Sequence, residues 1–507
     1  MNTFATPVVH AARRYADALA FIDVESGMRH TFAELRRWTD AIGDDLRSRG
    51  VRRGDRVAVL ADASSTYAAL YLAAPAHGFV IAPLNSRYTD PELLAAIGDS
   101  SPQVIYTDRE LDPEVRAAVP HVVDIGELTR LGAVCAGVVR DGSEGRAAEH
   151  EPDEDAVAAI FYTGGTTDRA KGVALSHRNT LADALSVIIE LELTDTDRWL
   201  VMSPMFHAAG SWNIAPCVWV GATQVILPRF DADAALAAIA GYGITKTFGV
   251  PTMLQARADA QARVGADVSS LRLLGHGGAP ATRAVVEQAA AMFPTTEICG
   301  MYGATEMAPL GAVFRHQEAH LGTPAARASG YGAVGVSVEV HDDTGAPAAP
   351  GELGEIVVTG PNIMVGYWGK PEATAAVLHG HSYRSGDLGY LDEWGRLVVV
   401  DRIKDMIITG GENVYGVEVE DVLAAHPSVM EAAVLGVPDE RWGELVVAVV
   451  VMRGEADHAA LDGHCRAALA AYKVPRRYVV RTEPLPRTAA GKLLKRSLRE
   501  ELAAGTR

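Results

Sequence analysis

The segment from Thr163 to Gly172 has the residue types of a loop that holds phosphate groups. It follows the apolar run Ala158–Tyr162, which is typical of a buried strand, and it contains glycines, three threonines and one lysine. Glycines let backbone N–H groups approach a ligand closely, and the hydroxyls and Lys171 add donors and a positive charge. It is not a Walker A loop, because Gly172 rather than a hydroxyl residue follows Lys171. The loop alone favours a polyphosphate ligand over the alternative, an ordinary turn between two strands.

Two later segments carry side chains whose chemistry suits the rest of a magnesium nucleotide. Tyr302, in a glycine-rich turn, can stack on a base, Thr305 can donate to a phosphate, and Glu306 can bind Mg²⁺. A carboxylate together with phosphate oxygens is the usual way in which Mg²⁺ is held. Further along the chain, Asp387 can accept hydrogen bonds from both hydroxyls of a ribose.

These segments resemble, in their order along the chain, the motifs of the adenylate-forming superfamily, which includes acyl-CoA synthetases, adenylation domains and luciferases. The matching stretches are YTGGTTDRAKG (162–172), PMFHAAG (204–210), GHGGAP (275–280), GMYGATE (300–306), YRSGDLG (383–389), DRIKD (401–405), GGENVY (410–415) and LPRTAAGK (485–492). The resemblance covers roughly residues 155 to 495. Each match is modest by itself, but chance would not produce all of them in the family order. The resemblance therefore implies an enzyme that activates a carboxylic acid with ATP.

The phosphate loop departs from the family form at three positions. Gly164 replaces a serine, Asp168 replaces a glycine and Ala170 replaces a proline. Asp168 places a negative charge near the expected path of the polyphosphate. The departure therefore bears on loop closure and on the affinity for ATP.

The resemblance implies a nucleotide site assembled from several segments. It places Gly278–Pro280 and Tyr302 against the adenine, gives the ribose to Asp387 and Arg402, and gives Mg²⁺ to Glu306. The residues that it assigns to ATP are Thr163, Gly164, Gly165, Thr166, Thr167, Lys171, Gly278, Ala279, Pro280, Tyr302, Gly303, Thr305, Asp387, Arg402 and Lys492. The catalytic residues that it implies are Lys492, Glu306, Thr166 and His207.

The implied reaction has two steps with different requirements. A carboxylate is a poor electrophile, so it is first joined to AMP. In this step two anions, the carboxylate and ATP, must meet at the α-phosphorus. Positioning and cationic screening carry this step, and the resemblance makes Lys492 the bridge between the acid carboxylate and the α-phosphate. In the second step a thiol must reach the acyl carbonyl, and the resemblance makes Lys404 the hinge about which the C-terminal domain rotates.

The acid pocket is implied by the segment around His207 and by the turns near Gly277 and Gly303. The residues expected to line it are His207, Ala208, Trp212, Gly277, Met301 and Gly303. They are mostly small or apolar and offer no counter-ion for an amino group, which disfavours an amino acid. A fatty acid and an aryl acid both stay open, and Trp212 either shapes a flat aryl slot or packs in the core.

Coenzyme A is the expected acceptor. The residues that the resemblance assigns to CoA are Gly410, Gly411, Trp442, Tyr472 and Arg476. No carrier-protein motif follows Leu493, which favours CoA over a carrier protein, although Val474 stands where a second basic residue sometimes occurs. One alternative is a stand-alone adenylating enzyme that passes the acyl group to a carrier protein or an amine. The other is a non-catalytic relative, against which Lys492, Glu306 and Asp387 argue.

An α/β fold must position these residues. Up to about residue 400, short apolar runs such as Arg56–Leu60 and Glu297–Tyr302 alternate with helix-like stretches such as Asp231–Ala240. This alternation predicts helices layered on largely buried strands, and a compact α+β tail follows. We therefore expect a large N-terminal domain of layered α/β subdomains, residues 1–401, and a small mobile α+β C-terminal domain, residues 402–507, joined by the hinge.

Composition limits the partners and the compartment. With 507 residues the chain is too long for one compact core, and its formal net charge of −18 disfavours nucleic acid and anionic membranes as ligands. The four cysteines form no CxxC pair and fit buried apolar positions in a reducing compartment. The N-terminus lacks a signal-peptide pattern, and the most apolar stretch, Ala68–Leu84, is short and contains two prolines. We expect a cytoplasmic protein without a membrane span, and a homodimer stays open.

Overall fold

The computed structural model describes residues 3–137, 153–163, 170–316, 320, 323, 327–454, 457–488 and 493–504. The α-helices of these residues are α1 (Ala5–Arg14), α2 (Phe32–Ser48), α3 (Ser65–Ala76), α4 (Asp90–Ser100), α5 (Pro113–Ala117), α6 (Gly126–Ala136), α7 (His177–Glu190), α8 (Ala208–Ser211), α9 (Ile214–Val220), α10 (Ala232–Tyr242), α11 (Pro251–Val264), α12 (Arg283–Met292), α13 (Pro371–Ala375), α14 (Gly416–Ala424), α15 (His458–Ala468) and α16 (Lys495–Ala504). The strands of the same residues are β1 (Leu19–Asp23), β2 (Arg29–Thr31), β3 (Arg56–Leu60), β4 (Val80–Pro83), β5 (Val104–Thr107), β6 (His121–Asp124), β7 (Val157–Thr163), β8 (Lys171–Ser176), β9 (Arg198–Val201), β10 (Thr223–Ile226), β11 (Lys246–Gly249), β12 (Leu273–Gly277), β13 (Glu297–Gly303), β14 (Leu310–His316), β15 (Tyr331–Gly332), β16 (Ser337–His341), β17 (Gly354–Thr359), β18 (Gly366–Tyr367), β19 (Leu378–His379), β20 (Ser382–Leu391), β21 (Leu397–Arg402), β22 (Ile407–Thr409), β23 (Glu412–Val414), β24 (Val429–Asp439), β25 (Gly443–Met452) and β26 (Arg477–Arg481).

The largest sheet has nine strands in the order β15-β14-β13-β12-β11-β9-β10-β1-β2. Six neighbouring strands from β13 to β1 are parallel, and antiparallel pairings add β14 and β15 at one edge and β2 at the other. Parallel strands need crossover connections, which helices α9 to α12 supply here. The carboxyl ends of β12 and β13 therefore meet at one edge of the sheet, where two of the expected motifs lie.

The second sheet has seven strands in the order β18-β8-β7-β4-β3-β5-β6. Its five strands from β7 to β6 are parallel, whereas β8 and β18 join by antiparallel pairings. The hairpin of β7 and β8 carries the expected phosphate loop at its tip. This sheet thus contains both strands that flank the expected phosphate loop.

The main core joins side chains of both sheets to helices α1, α2 and α3. All twelve residues of α3 are buried, and the side-chain hydroxyl of Ser64 caps its first turn by accepting from the backbone N–H of Tyr67. A helix that is apolar all round is stable only when it is enclosed, and each fully buried Leu or Val contributes about 1.5–3 kcal/mol. Within the described residues, no helix combines the length and the apolar character needed to cross a bilayer.

Two further core clusters cover the outer faces of these sheets. Helices α10, α11 and α12 pack on the nine-stranded sheet through residues such as Leu236, Leu254 and Val286. Helices α4 and α5 pack on the seven-stranded sheet through Leu93, Ile97 and Val115. Each large sheet is therefore covered on both faces, as expected for buried parallel strands.

Two smaller sheets complete the chain. In one, β16-β17-β20-β19 are joined by β21, which pairs with β20. In the other, β23-β22-β25-β24 are joined by β26, which pairs with β25. The two core clusters of this last sheet contain only residues from Ile407 onward. A domain boundary at 401/402 stays a prediction, and it agrees with these separate clusters.

The predicted fold class is confirmed. The strands predicted at Arg56–Leu60 and Glu297–Tyr302 correspond to β3 and β13, and the helix predicted at Asp231–Ala240 corresponds to α10. The last helix of the described residues, α16, begins at Lys495 in the predicted α+β tail. All four cysteines are buried, as expected of small apolar residues. The antiparallel strands that border the two large sheets gave no separate signal in the sequence.

Candidate functional site

The expected phosphate loop joins two antiparallel strands. Thr163 lies opposite Lys171 in the register of β7 and β8. Gly164, Gly165, Thr166, Thr167 and Asp168 lie outside the described residues. The hairpin brings the two ends of the loop together, which agrees with both sequence interpretations, a phosphate loop and a turn between strands.

One tyrosine contacts both Lys171, at the end of the expected phosphate loop, and the expected metal ligand. The ammonium group of Lys171 lies 4.8 Å from the centre of the Tyr367 ring. The Tyr367 hydroxyl donates a hydrogen bond of 3.0 Å to Oε1 of Glu306. Glu306 lies in the short 3-10 helix Thr305–Met307, directly after β13, and it is 8% exposed. Tyr367 therefore links Lys171, which begins β8 of the seven-stranded sheet, to Glu306, which follows β13 of the nine-stranded sheet.

Burial keeps the tyrosines of this region protonated. Burial raises the pKa of Tyr367, and the charge of Glu306 raises it further. The pKa values of Tyr383 and Tyr302 are raised in the same way, chiefly by burial. A protonated phenol donates a hydrogen bond, so Tyr367 and Tyr302 act as donors toward the carboxylates of Glu306 and Asp387.

Asp387 contacts side chains from two other expected motifs. Its Oδ2 accepts a hydrogen bond of 3.0 Å from the Tyr302 hydroxyl. Its Oδ1 lies 3.0 Å from Nε of Arg402, which stands opposite Asp387 in the register of β20 and β21. The structure therefore brings together three residues that the sequence placed in separate motifs for adenine and ribose.

The turn before Asp387 is fixed by local hydrogen bonds. The hydroxyl of Ser385 donates to the Ile356 carbonyl at 2.7 Å and accepts from the Asp387 backbone N–H at 3.1 Å. Gly386 has a φ of +70°, a conformation that favours glycine, and its N–H donates to Glu355. The hydroxyl of Ser385 thus orients Asp387.

The carboxyl ends of β12 and β13 border a cavity of about 60 Å³. Its lining includes Gly277, Ala279, Pro280 and Met301, four residues that the sequence assigned to the adenine or to the acid. Gly278 lies between two of them in the same turn, and Gly303, at the end of β13, approaches the backbone of Pro309 so closely that no side chain would fit. Residues expected for the base and for the acid thus share one wall.

The expected acid-pocket residues around α8 surround an aromatic cluster. His207 is the N-cap of α8, and Ala208, its first residue, is buried. Trp212 is 6% exposed and contacts Trp199 and Phe248 edge to face, with ring centres 5.7 Å and 5.4 Å apart. Trp212 therefore packs in the core, in a cluster with Trp199 and Phe248.

The expected hinge is held at both ends by the C-terminal part of the chain. Lys404 is exposed in the 3-10 helix Ile403–Asp405. Asp401, just before it, accepts a hydrogen bond of 2.8 Å from the backbone N–H at the start of α14. Arg499 of α16 lies 3.0 Å from the carboxylate of Asp405. Helices α14 and α16 are therefore attached directly to the hinge segment.

The expected catalytic lysine, Lys492, lies outside the described residues. The residues on either side of it are close in space, because Arg487 forms an antiparallel bridge with Leu493. Arg487 also lies 2.7 Å from the carboxylate of Glu431, which attaches this segment to β24. Both ends of the segment are thus anchored to the C-terminal sheet.

Four of the five residues expected to bind CoA lie next to one another. Gly410 and Gly411 form the two-residue turn between β22 and β23, with φ angles of +61° and +85° that glycine readily adopts. The backbone N–H of Gly410 donates to the Trp442 carbonyl at 2.7 Å. The guanidinium of Arg476 lies 4.2 Å from the centre of the Trp442 ring. Tyr472 is 36% exposed and has the ammonium of Lys473 5.8 Å from its ring centre.

Sequence reasoning missed Tyr367 and one ion pair. Tyr367 is a single aromatic residue in β18, and its contact with Glu306 depends on the pairing of β18 with β8, which no sequence pattern indicated.

The missed ion pair joins Arg327 to the C-terminal part of the chain. Arg327 lies 3.0 Å from the carboxylate of Asp421 on α14. Burial raises the pKa of Asp421 to about 6, with Arg327 acting in the opposite direction.

Two family profiles match the chain. The profile described as AMP-binding enzyme matches residues 8–368, and the profile described as AMP-binding enzyme C-terminal domain matches residues 418–492. A feruloyl-CoA synthase of an Amycolatopsis species is 40% identical over 491 residues, which cover 93% of this chain and 94% of that protein. A fatty acid–[acyl-carrier-protein] ligase of Streptomyces coeruleorubidus is 35% identical over 484 residues, which cover 94% and 92%.

A solved enzyme has the same fold over its full length. The o-succinylbenzoate CoA synthetase of Bacillus subtilis in complex with its acyl-adenylate has a TM-score of 0.86 and 30% identity, with 97% of each chain covered. The same enzyme in complex with ATP and a magnesium ion has a TM-score of 0.85 and 30% identity, with 97% of this chain and 99% of that chain covered. The similarity thus extends across both sides of the expected hinge.

Proposed function

This chain belongs to the family of AMP-binding enzymes, and on that premise we propose that it is an AMP-forming acid–CoA ligase. In the first half-reaction, a carboxylate oxygen attacks the α-phosphorus of ATP, forming acyl-AMP and releasing pyrophosphate. In the second, the thiol of CoA attacks the acyl carbonyl, forming the thioester and releasing AMP and a proton.

The meeting of three motifs at Asp387 carries the proposal. Tyr302 and Arg402 both contact its carboxylate at 3.0 Å, although 85 residues separate Tyr302 from Asp387 along the chain. A carboxylate between an aromatic ring and a cation suits a nucleoside, because it can accept both ribose hydroxyls while the ring packs on the base. Arg402 keeps about half of its side chain exposed, which leaves this corner open to a ligand.

The phosphate side supports the same assignment. Lys171 supplies positive charge at one end of the expected loop, and Glu306 lies beyond the Tyr367 ring. Tyr367 donates to Oε1 of Glu306 and orients its carboxylate, which would hold Mg²⁺. One carboxylate together with phosphate oxygens is a sufficient protein contribution for this ion. When bound, Mg²⁺ would neutralise charge on the phosphates of ATP.

Lys492 and the threonines of the phosphate loop complete the proposed adenylation site. The reacting groups are both anions, so cations and oriented donors stabilise the transition state more than an acid–base pair would. Lys492 holds the carboxylate against the α-phosphate, and His207 borders the pocket at the acid end. No nucleophilic side chain takes part.

The second half-reaction requires a different arrangement of the same pocket. Residues 402–507 rotate about Lys404, which withdraws Lys492 and brings the turn Gly410–Gly411 to the acyl group. The contacts of Gly410 and Arg476 with Trp442 support a single surface for CoA on the small domain. Tyr472, more exposed than the other aromatic residue of the set, completes that surface.

The acceptor is CoA, with a carrier protein as the second candidate. The 40% identical feruloyl-CoA synthase favours CoA, whereas a 35% identical relative is named as an acyl-carrier-protein ligase. Arg476 over the ring of Trp442 also favours CoA, because a stacked guanidinium next to an aromatic face suits an adenine nucleotide. AMP release that requires free CoA distinguishes the two.

The acid is an aryl acid. Trp212 follows α8, whose N-cap is His207, and it contacts Trp199 and Phe248 edge to face; a flat aryl ring packs favourably in such aromatic surroundings. The feruloyl-CoA synthase relative is consistent with this choice. A fatty acid chain packs against the same aromatic rings with less dependence on its shape, and it is the second candidate.

A pyrophosphate-release screen tests the proposed function. Cinnamic, benzoic and fatty acids are each supplied with ATP and Mg²⁺, with and without CoA, and both pyrophosphate and thioester are measured. We expect release with at least one cinnamic acid and thioester formation only when CoA is present. Asp387→Ala serves as the matched variant, and we expect a KM for ATP about 10- to 100-fold higher, because two hydrogen bonds to a charged group are lost. Absence of pyrophosphate release with every acid would contradict the proposal.

A further inference from the structure

A row of glycine and histidine residues crosses the carboxyl end of the nine-stranded sheet. In the register of β11, β12 and β13, His276 lies between Gly249 and Gly300. Paired residues point to the same face, and neighbouring strands are about 5 Å apart, so the space over each glycine adjoins the imidazole. His316 of β14 stacks on His276, with ring centres 5.6 Å apart and 19° between the planes.

Both imidazoles direct a nitrogen into the space over Gly300. A Cβ on Gly300 would lie 3.2 Å from Nε2 of His316 and 3.5 Å from Nε2 of His276. Both histidines are buried, at 9% and 7% exposure. In the part of the chain that the structure describes, neither Nε2 atom has a hydrogen-bond partner, nor does Nδ1 of His316. Buried polar atoms without partners are rare in native proteins, so this pair indicates a ligand that supplies the partners.

The space over Gly300 belongs to the cavity at the ends of β12 and β13. His276, His316 and Gly300 line that cavity together with Ala279 and Pro280. Ala279 and Pro280 are the residues assigned to the flat face of the adenine. The two histidines therefore stand where the edge of the same base would lie.

The two imidazoles are uncharged at neutral pH. Burial, together with the nearby His316 and Arg257, lowers the pKa of His276 to about 3. Burial lowers the pKa of His316 to about 4, with His320 adding to the effect. A neutral imidazole offers one donor and one acceptor, which matches the edge of a neutral heterocycle better than a phosphate or a carboxylate.

Arg257 makes this space unsuitable for a metal ion. Arg257 is fully buried. Its Nη2 would lie 3.2 Å from a Cβ on Gly249, the residue paired with His276. A fixed positive charge beside His276 repels cations and favours electron-rich ring nitrogens. Among the described residues, no group of three or more His, Cys, Asp or Glu side chains could hold a metal ion.

We propose that His276 and His316 bind the Watson–Crick edge of the adenine of ATP and so contribute to selection of the base. One imidazole accepts a hydrogen bond from the 6-amino group, and the other donates to N1. The inference rests on the proposed function, because Ala279 and Pro280 form an adenine subsite only in an enzyme that binds ATP.

Nucleotide binding to the full-length protein tests this role without needing the acid. Calorimetry compares AMP with purine riboside monophosphate, which lacks the 6-amino group, for the wild type, His276→Leu and His316→Leu. We expect the wild type to bind AMP about 10-fold more tightly than the analogue. Leucine at the accepting histidine brings this ratio to about one, and leucine at the donating histidine weakens both nucleotides by about 10-fold. The inference is overturned if both variants keep the wild-type ratio and both affinities within about twofold.

Controls separate base recognition from folding and from the proposed function. His30→Leu removes another buried imidazole, at the opposite edge of the same sheet. His30 stacks on Trp38, with ring centres 4.4 Å apart. This variant should leave the ratio of the two nucleotide affinities unchanged. If a leucine variant does not fold, methionine at the same position replaces it and is assessed by the same ratio. Pyrophosphate release by the wild type reports on the proposed function independently, so either idea can fail alone.

Discussion

Two tyrosine hydroxyls and two carboxylates form the polar centre of the site at the scale of single residues. Tyr367 donates to Glu306, and Tyr302 donates to Asp387. Because burial raises the pKa of both phenols, the hydroxyls remain donors at neutral pH. Each carboxylate is therefore oriented before a nucleotide arrives, which reduces the reorganisation that catalysis requires.

Replacement of Tyr367 by phenylalanine tests this orientation. The ring stays available to Lys171, but Glu306 loses its hydrogen bond, so its carboxylate is held less firmly for Mg²⁺. We expect kcat/KM for adenylation to fall about 10-fold, and the Mg²⁺ concentration for half-maximal rate to rise. Tyr242→Phe, on α10, is the matched control. An unchanged Mg²⁺ dependence in Tyr367→Phe would show that the hydroxyl does not act through the metal.

Removal of the Lys492 ammonium should separate the two half-reactions. In Lys492→Ala, carboxylate and α-phosphate lose the cation between them, so we expect pyrophosphate release to fall by at least about 100-fold. Thioester formation from supplied acyl-adenylate should remain, because that step does not use this charge. Arg496→Ala, an exposed residue paired with Glu500 on α16, controls for general effects. Intact pyrophosphate release would remove Lys492 from the catalytic set.

The residues with a family motif around them could be assigned from the sequence, and those without one could not. Asp387 and Glu306 were predicted because their neighbours in the chain specify them. Tyr367 and His316 lie outside the quoted motifs and gave no signal, because a single aromatic or imidazole residue is usually part of the core; His276 lies inside the stretch GHGGAP, but that stretch assigned it no role. Their significance depends on contacts between strands that lie far apart in the sequence.

At the scale of elements, helix α14 contacts the large domain, and helix α16 holds the hinge segment of the small domain. Asp421 of α14 pairs with Arg327, and Arg499 of α16 pairs with Asp405 beside the hinge. Lys495 of α16 lies 2.9 Å from Glu420 of α14, which ties the two helices together. A rotation about Lys404 must therefore break the Arg327 pair, while α14 and α16 can move as one unit.

The pH dependence of stability should report on Asp421. Burial raises its pKa from 3.8 to about 6 in the folded protein, so the folded state binds the proton more tightly than the unfolded state. Its effect on stability therefore becomes less favourable as pH rises from about 4 to about 6. Relative to the wild type, Asp421→Asn should be more stable above this window than below it, by about 1–3 kcal/mol. Chemical unfolding at both pH values checks this, and two parallel pH curves would contradict it.

The hinge assignment predicts a variant that completes one half-reaction only. Proline at position 404 fixes φ near −65° and restricts the backbone rotation that the second step needs. We expect Lys404→Pro to keep pyrophosphate release within about threefold and to lose about 100-fold in thioester formation. Lys404→Ala keeps the backbone free and should support both steps. Equal loss of both steps in the proline variant would point to a folding defect instead of a hinge.

Element order was predictable from apolar periodicity, whereas sheet borders were not. The runs that became β3 and β13 are short and apolar, as strands buried on both faces must be. The partners of β8 and β18 are decided by tertiary packing, and the short sequence of β18 has no period to detect. The phosphate hairpin was therefore recognised by its loop residues and not by its strands.

Charge is distributed unevenly at the scale of the whole molecule. Residues 402–507 contain 15 of the 46 basic and 15 of the 64 acidic side chains, so the formal charge of −18 belongs to residues 1–401. An approaching nucleotide meets this negative field, and Lys171 and Arg402 oppose it locally. Under the proposed rotation, the small domain adds no net negative charge when it covers the site.

Helix α3 has a consequence for sequence variation. Each of its twelve residues is buried, and the helix packs against helices α1 and α2 as well as strands of both large sheets, so no position in Ser65–Ala76 can accept a charge or a larger side chain without disturbing a neighbouring element. A saturation mutagenesis library scored for protein abundance should therefore show one uninterrupted window of intolerance at α3. The amphipathic helix α2, with only seven of its seventeen residues buried, should alternate between tolerant and intolerant positions with the helical period. Equal tolerance in the two helices would mean that the helices and strands packed on α3 can shift to accept a new side chain.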